Sequence, residues 1–319
     1  MNFQQLEYIL SVDKHRHFAK AAAECFITQP TLSMMIRKLE EELGIKIFDR
    51  SRQPVVPTKE GAEIISRARE LLGKASSLKT FAAELKGEIT GELHLGIIPT
   101  LAPYLLPLFL KSFTHKYPHL KIFIREMVTT DIVENIKTGH LDIGILATPL
   151  GDLQLSETVL FNEEFFVYID EKSSGIRKKY LLPREIDINQ LWLLEEGHCM
   201  RNQVFNLCEL KKHDSTGDKL HYEAGSIETL INLVDNSRGI TIVPLLATRL
   251  MKPAQKKKLR QFAAPRPVRE ISLVTMNDFP RKTLLENMRK IILASLPAVI
   301  TDAENRKSMV KMKKLPVNN

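Results

Sequence analysis

From Thr58 to about Gly87 the chain carries one continuous helical pattern, and that pattern decides the plan of the molecule. Ile64, Ala68, Leu71, Ala75, Leu78, Ala82 and Leu85 recur at alternating steps of four and three. Such steps make a narrow coiled-coil seam, not the broader stripe of a helix that faces a globular core. At 1.5 Å per residue the helix spans about 40 Å. A rod of that length separates a head, residues 1–58, from a body beginning near residue 89. Two copies joined along the seam pair two heads, so the protein is expected to engage two sites at once. Gly73 weakens the rod locally and allows a bend.

In the head, residues 2 to 13 place Phe3, Leu6, Ile9 and Leu10 on one helical face. A second short helix, Phe18 to Cys25, carries Ala19, Ala22 and Ala23, with Phe26 after it; small residues let another helix approach closely. Cys25 is read as packing within this core. After a turn at Phe26-Ile27, Thr28 is a good N-cap for a third helix, and Pro30 falls in its first turn, where proline is tolerated. Leu32, Ile36, Leu39 and Leu43 form the buried stripe, and Gly44 stops the helix.

Gln29, Pro30, Thr31, Ser33, Met34, Arg37 and Lys38 stay outside that stripe. This is the geometry of a helix-turn-helix whose second helix offers its N-terminal part to a DNA major groove. Polar side chains there read base edges, while Arg37 and Lys38 reach phosphates. Ile45 to Arg50 and Val55 to Thr58, joined through Ser51-Arg52-Gln53-Pro54, form a two-stranded wing. Arg50 and Arg52 at its tip would lie over the DNA backbone or minor groove. The plainer alternative is a small helical domain with charged faces.

Net charge does not choose between these. Of the excess of +8, residues 1–58 contribute little, with 8 Lys/Arg against 7 Asp/Glu. Lys252 to Arg260 and the tail Thr301 to Asn319 together equal the whole excess. Within the head, however, Glu40, Glu41 and Glu42 cluster at the far end of the third helix, which leaves the DNA-facing end basic. No apolar run approaches membrane-spanning length, and Met1-Asn2-Phe3-Gln4-Gln5 lacks the order of a signal peptide. Three cysteines, an odd number, argue for a reducing compartment. The expected location is the cytoplasm, and the tail is expected to be a basic mobile end.

From Gly91 strands and helices alternate. Glu92 to Pro99, Lys121 to Val128, Leu141 to Ala147 and Phe165 to Ile169 read as strands with helices between the first three. A second cycle follows: Leu191 to Leu194, Leu220 to Tyr222, a helix from Ser226, and Ile240 to Val243. Ile271 to Met276 and a helix from Arg281 to about Leu296 close it. Two parallel-sheet lobes built this way place a ligand crevice at the carboxyl ends of their strands.

Within this body lies Glu195-Glu196-Gly197-His198-Cys199-Met200-Arg201-Asn202-Gln203, running on to Cys208. Gly197-His198 breaks the strand before it, and the following residues have helical spacing. Cys199 then sits in a first helical turn, where free N–H groups and the helix dipole favour an anion. With His198 and Arg201 nearby, the thiol is expected to be partly thiolate. Cys208, nine residues on, is about 13 Å along a helix and half a turn out of phase, whereas a disulfide needs Cα atoms within about 7 Å. Two cysteines on one helix therefore bond only if it unwinds, which is the physics of a switch. The bland alternative is two small core residues.

Ala21-Ala22-Ala23-Glu24-Cys25-Phe26-Ile27-Thr28-Gln29-Pro30-Thr31-Leu32-Ser33, continuing Ile36-Arg37-Lys38-Leu39-Glu40, closely resembles the DNA-binding motif of LysR-type transcriptional regulators. The similarity covers about 300 residues. It implies an all-α winged helix-turn-helix domain (1–58), a linker helix that dimerises (59–88), and a two-lobed, periplasmic-binding-protein-like α/β regulatory domain (89–300). Lobe I would hold about 89–165 and 269–300, lobe II about 166–268, with the tail 301–319 outside.

Thr100, Thr129 and His198-Cys199 each follow a strand, so the topology brings them to one crevice. Two hydroxyls, an imidazole and a thiolate suit a small uncharged ligand. Hydrogen peroxide fits, with Thr100, Thr129, Gly197 and His198 fixing it and Arg266 as an electrostatic partner. Gly197-His198-Cys199-Met200-Arg201, Gly96-Ile97-Ile98-Pro99-Thr100 with Pro103-Tyr104-Leu105-Leu106-Pro107, and Ser226-Ile227-Glu228-Thr229-Leu230 resemble the peroxide-sensing members of the family. By that resemblance Cys199 is the peroxidatic thiol and Cys208 the resolving thiol of an intramolecular disulfide. The partners implied are promoter DNA half-sites, RNA polymerase, a second dimer and a glutaredoxin- or thioredoxin-type reductant. No cofactor, metal or enzymatic turnover is expected. Two departures stand out: Asn202 in place of an acid, and Ser237-Arg238-Gly239, which lacks the first glycine of the usual Gly-x-Gly. The competing possibilities are a LysR-type regulator of a metabolite with incidental cysteines, and a thiol peroxidase, which leaves the head and heptads without a purpose.

Overall fold

A computed structural model describes residues 1–85, 89–170, 178–187, 190–195, 199–207, 224–237, 239–301 and 309–311. The chain forms two compact units, residues 1–88 and 89–319. In the first, α1 (Phe3–His15) starts from a capping box in which Asn2 and Gln5 accept each other's backbone amides. Leu6, Ile9 and Val12 face inward with Tyr8, while Phe3 is exposed and Leu10 half-buried. The buried face is thus turned toward Tyr8 and Val12 from the one expected. α2 (Phe18–Glu24) buries Ala21 and Ala22. Ala19 and Ala23 lie outside, and Phe26 is 96% exposed. A helix of two turns has a single edge to bury.

α3 (Gln29–Leu43) has the expected punctuation: the Thr28 side chain accepts from the Thr31 amide, and Gly44 ends the helix at a φ of +66°. Leu32, Ile36 and Leu39 are fully buried. β1 (Phe48–Asp49) and β2 (Val56–Pro57) form the wing, shorter than the sequence suggests because flanking residues bond to side chains instead. The Ile47 amide donates to Glu40, and the Thr58 hydroxyl donates to the Lys46 carbonyl.

α4 (Lys59–Leu85) divides its work. Ile65 and Ala68 are buried in the head core with Leu72 half-buried beside them, so Ala68 leaves the expected seam. Leu71 and Leu78, seven residues apart, are 45% and 68% exposed; the seam free for a second copy begins at Leu71. At Gly61 a Cβ would lie 2.0 Å from the Ile47 carbonyl oxygen, so α4 approaches the wing closely enough to admit only glycine.

In the second unit, β3 (Gly91–Ile97), α5 (Ala102–Lys116), β4 (Leu120–Glu126), α6 (Thr129–Lys137) and β5 (Ile143–Thr148) build a parallel group. β5 is buried at every position, as a strand covered on both faces must be. β6 (Leu155–Ile169) is 15 residues long, about 50 Å. β7 (Tyr180–Leu181), α7 (Cys199–Leu207), α8 (Ile227–Ser237), β8 (Ile240–Pro244), α9 (Leu245–Thr248), α10 (Pro253–Lys256), β9 (Leu259–Phe262) and β10 (Arg266–Met276) follow. α11 (Lys282–Ser295), α12 (Ala298–Thr301) and β11 (Met309–Lys311) complete the described chain.

The sheets are mixed, not parallel as expected. β10 runs antiparallel to both β5 and β6, and the last five residues of β6 pair antiparallel with β8. One long strand thus serves both sheets, and the expected lobe boundary at residue 165 falls inside it. Among the described residues Leu191 to Leu194 makes two isolated bridges, Leu191 to Ile240 and Leu194 to Ala224. Leu220 to Tyr222 lies outside the described residues. The tail is not wholly a free end, because β11 pairs in parallel with Arg266 to Val268, continuing the edge where β5 stops. Gly239 has a φ of +114° and a Cβ there would meet Trp192 and the Gln190 carbonyl. The glycine retained in Ser237-Arg238-Gly239 is therefore one that the backbone requires. Among the described residues no helix is long and apolar enough to cross a membrane.

A Gly61→Ala variant should lose about 1–3 kcal/mol of head stability through overpacking against Ile47. Thermal unfolding followed by circular dichroism measures this, and an unchanged midpoint would contradict the close approach.

Candidate functional site

The head presents Gln29, Pro30, Thr31, Arg37 and Lys38 exposed on α3, with Met34 half in solvent and Ser33 half-buried. The wing arginines differ from expectation and from each other. Arg50 folds back onto α3: it donates to Ser33 Oγ and to Glu40 Oε2, each at 3.0 Å, and its guanidinium lies 5.0 Å from the Phe18 ring. It braces the wing and orients Ser33 instead of reaching out. Arg52 touches only its neighbour Asp49 and keeps a 71% exposed side chain, so it remains available for phosphate. Glu40 is consumed internally, and Glu42 binds the N-terminal amine. The acids of α3 therefore do not oppose DNA as strongly as their number suggests.

α1 is tied to α2 by Glu24, which accepts from Ser11, Lys14 and His15. The Lys14 ammonium and Ser11 hydroxyl hold this carboxyl down to about 2 from an ordinary 4.5. Because the folded value is depressed, its contribution is complete above 4.5 and is lost as pH falls towards 2.

In the body, Cys199 is the first residue of α7, a free thiol only 5% exposed. Arg201, expected to stand beside it, donates to the Leu194 carbonyl at 2.9 Å and lies over the Phe205 ring. Gln203 is one helical turn along from Cys199, on the same side of α7. It is buried, and its Oε1 has no hydrogen-bond partner. Gln203 was not singled out from the sequence, although its four-residue spacing from Cys199 was the available signal. Gly197, His198 and Cys208 lie outside the described residues.

Thr100 and Thr129 follow the adjacent parallel strands β3 and β4, and the Met127 amide donates to the Ile97 carbonyl between them. They share one edge of the sheet, as expected. Thr129 Oγ1 is buried and unpartnered, whereas Thr100 Oγ1 accepts from Arg269 Nη1 at 2.8 Å. Leu101, next to Thr100, shares one continuous apolar core with Cys199.

The guanidinium bonded to Thr100 is that of Arg269. Arg266 pairs with Glu164 at 3.4 Å, while Arg269 pairs with Glu163 at 2.8 Å. Register explains the difference: Val268 faces Glu164 and Arg269 faces Glu163. Side chains alternate along a strand, so Arg266 and Arg269 leave opposite faces of β10. The Arg269–Glu163 pair has no solvent access on either side chain. The remaining Glu163 oxygen accepts the Leu246 amide at 2.8 Å. The basic run 252–260 is also partly engaged within the body, with Lys258 bonded to Asp235 and Arg260 to backbone carbonyls.

Residues 3–62 match the bacterial regulatory helix-turn-helix protein family, lysR type, and residues 86–297 match the LysR substrate binding domain. The chain belongs to the LysR family. Among curated relatives of this LysR-type regulator is the hydrogen peroxide-inducible genes activator of Haemophilus influenzae, 33% identical over 94% of this chain and 99% of that protein. The DNA-binding transcriptional dual regulator OxyR of Escherichia coli K12 is 33% identical over 93% of this chain and 96% of its own. Full-length OxyR from Pseudomonas aeruginosa superposes with a TM-score of 0.75 at 30% identity, covering 92% of this chain and 98% of that one.

Removal of Arg269 leaves a buried carboxylate unpaired, so Arg269→Met should destabilise this LysR-type body by about 3–5 kcal/mol. Arg266→Met on the opposite face should cost clearly less; equal losses in urea unfolding would refute the assignment. In the head, Glu24→Gln should flatten the loss of stability between pH 4.5 and 2, as read from unfolding midpoints across that range.

Proposed function

We propose that this LysR-type regulator senses hydrogen peroxide through Cys199 and converts its oxidation into altered transcription. The observation that carries the proposal is the free, buried thiol at the first position of α7. There the backbone amides of a first helical turn have no partner within the helix and face the sulfur's end of it. Three polar groups of different kinds lie buried in the same body as this thiol. Thr129 Oγ1 and Gln203 Oε1 are buried without partners, and Thr100 is held by a fully buried guanidinium. A small uncharged oxidant with two hydroxyls can occupy such groups, whereas a large carboxylate cannot.

The chemistry is a nucleophilic displacement. The Cys199 thiolate attacks one peroxide oxygen, the O–O bond breaks, and the departing hydroxide takes a proton to leave as water. Thr100, Thr129, Gly197, His198 and Gln203 position the peroxide and stabilise the departing oxygen. The sulfenic acid on Cys199 is then attacked by the Cys208 thiol, releasing a second water and closing the disulfide. Cys208 follows the last described residue of α7, so the bond requires this helix to unwind. A change in the body's shape then reaches DNA through the packing of subunits.

On the DNA side, Gln29, Pro30, Thr31, Ser33, Met34, Arg37 and Lys38 on α3 enter the major groove. Arg52 meets the backbone, and Arg50 acts from behind by fixing Ser33 and the wing. Leu71 and Leu78 pair α4 with a second copy, and two dimers assemble on promoter half-sites to engage RNA polymerase. A glutaredoxin- or thioredoxin-type protein resets the disulfide. The helix-turn-helix and the regulatory domain of this family serve transcription, so the protein is a switch and not a peroxidase, and we place it in the cytoplasm.

One equivalent of peroxide should convert Cys199 and Cys208 to an intramolecular disulfide on a mass-spectrometric peptide map. Cys199→Ser should abolish the transcriptional response while retaining operator binding in a gel-shift assay. Unmodified thiols after peroxide would reject the sensor, and loss of all DNA binding in the variant would assign Cys199 a folding role.

A further inference from the structure

Two sequence stretches singled out above have no part in the peroxide chemistry: Pro103 to Pro107 on α5, and Ser226 to Leu230 at the start of α8. The structure joins them. Tyr104 Oη donates to Glu228 Oε1 at 2.6 Å across 124 residues of sequence. Tyr104 is 6% exposed. Burial and the adjacent carboxylate push its phenol far above the ordinary range, so it remains a donor at any working pH.

The two ends of this bond belong to the two halves of the proposed peroxide site. Tyr104 lies one helical turn after Thr100, whose carbonyl and hydroxyl both accept from Arg269. Glu228 lies in the first turn of α8, and Leu230 beside it lines one small cavity together with Met200 and Val204 of α7. α8 and the cysteine helix thus border the same small cavity. Among the described residues, Tyr104–Glu228 is the hydrogen bond that ties α8 directly to α5.

We propose that Tyr104 and Glu228 are positioning residues for the oxidation of Cys199: their hydrogen bond sets the separation between the Thr100 edge and the cysteine helix. The inference rests on the peroxide-sensing function proposed above. Neither residue needs to touch peroxide. A hydroxyl and a thiolate that act on the same small molecule must be spaced to a fraction of an ångström, and a displacement of about 1 Å costs on the order of 100-fold in rate. An apolar contact alone does not hold two helices to that tolerance, whereas a short, charge-assisted hydrogen bond does.

The test compares two reactions of one sulfur in the full-length protein. Tyr104→Phe deletes only the hydroxyl. Its second-order rate of Cys199 oxidation by peroxide should fall about tenfold or more. Alkylation by iodoacetamide, which needs the sulfur but no bound oxygen pair, should stay within about twofold because the helix start around Cys199 is unchanged. Glu228→Gln, which keeps an acceptor oxygen, should retain near-wild-type peroxide reactivity, and Glu228→Ala should behave as Tyr104→Phe. If Tyr104→Phe fails to fold, the Glu228 pair carries the same comparison with the aromatic ring in place. A parallel fall in both reactions would reduce the bond to a structural role and overturn the inference. A reactive wild type with an equally reactive Tyr104→Phe would overturn it too, leaving the sensor intact. A wild-type Cys199 inert to peroxide would remove the proposed function itself.

Discussion

Arg269 and Glu163 form an ion pair with no solvent access on either side chain. Much of the regulatory body depends on it. Two charges taken out of water are stable only when every remaining hydrogen-bonding capacity is satisfied. Here that demand recruits Thr100 from the turn before α5 and the Leu246 amide from α9. One pair on adjacent strands thereby pins β6, β10, α5 and α9. Because β6 also runs into the second sheet, the pin sits near the joint between the two halves of the body. Thr100 is held rigidly as a by-product, while Thr129 and Gln203 are left with unmet hydrogen-bonding capacity. The body thus holds both a rigidly bonded hydroxyl and buried polar atoms without partners among the described residues.

The head uses charge in the same manner. Arg50 and Glu40 are spent on each other, on Ser33 and on the amides that lead into the wing. These contacts turn a loop and a helix into one surface. Arg37, Lys38 and Arg52 remain exposed beside that surface. Exposed ion pairs add little to stability, so the value of Arg50 lies in shape.

Legibility in the sequence followed the range of the interaction. The helix-turn-helix was readable at Thr28, Pro30, Leu32, Ile36 and Gly44, because caps and a buried stripe are properties of a few consecutive residues. The helical start at Cys199 was readable for the same reason. Ala68 was misassigned to the seam because a helix entering a core and a helix pairing with a second copy share nearly the same period. Leu191 to Leu194 was read as a strand from its apolar run, and among the described residues it makes two isolated bridges, since strand pairing depends on a partner that local pattern cannot supply. Arg266 and Arg269 were indistinguishable by composition; three residues apart, they leave opposite faces of β10, and only the register shows which one meets Thr100. Tyr104 and Glu228 were noticed as motifs, but nothing local could join residues 124 positions apart.

The sequence by itself determined the division into head, rod and body, the base-reading helix, and the placement of a cysteine at a helix start. Each follows from periodicity and capping, which act within a turn or two of chain. Tertiary structure alone decided which guanidinium binds Thr100, that Arg50 folds back onto α3 while Arg52 stays exposed, that the sheets are mixed, and that part of the tail returns as a strand. Those outcomes depend on register and on competition for buried hydrogen bonds, and both arise only when distant segments meet.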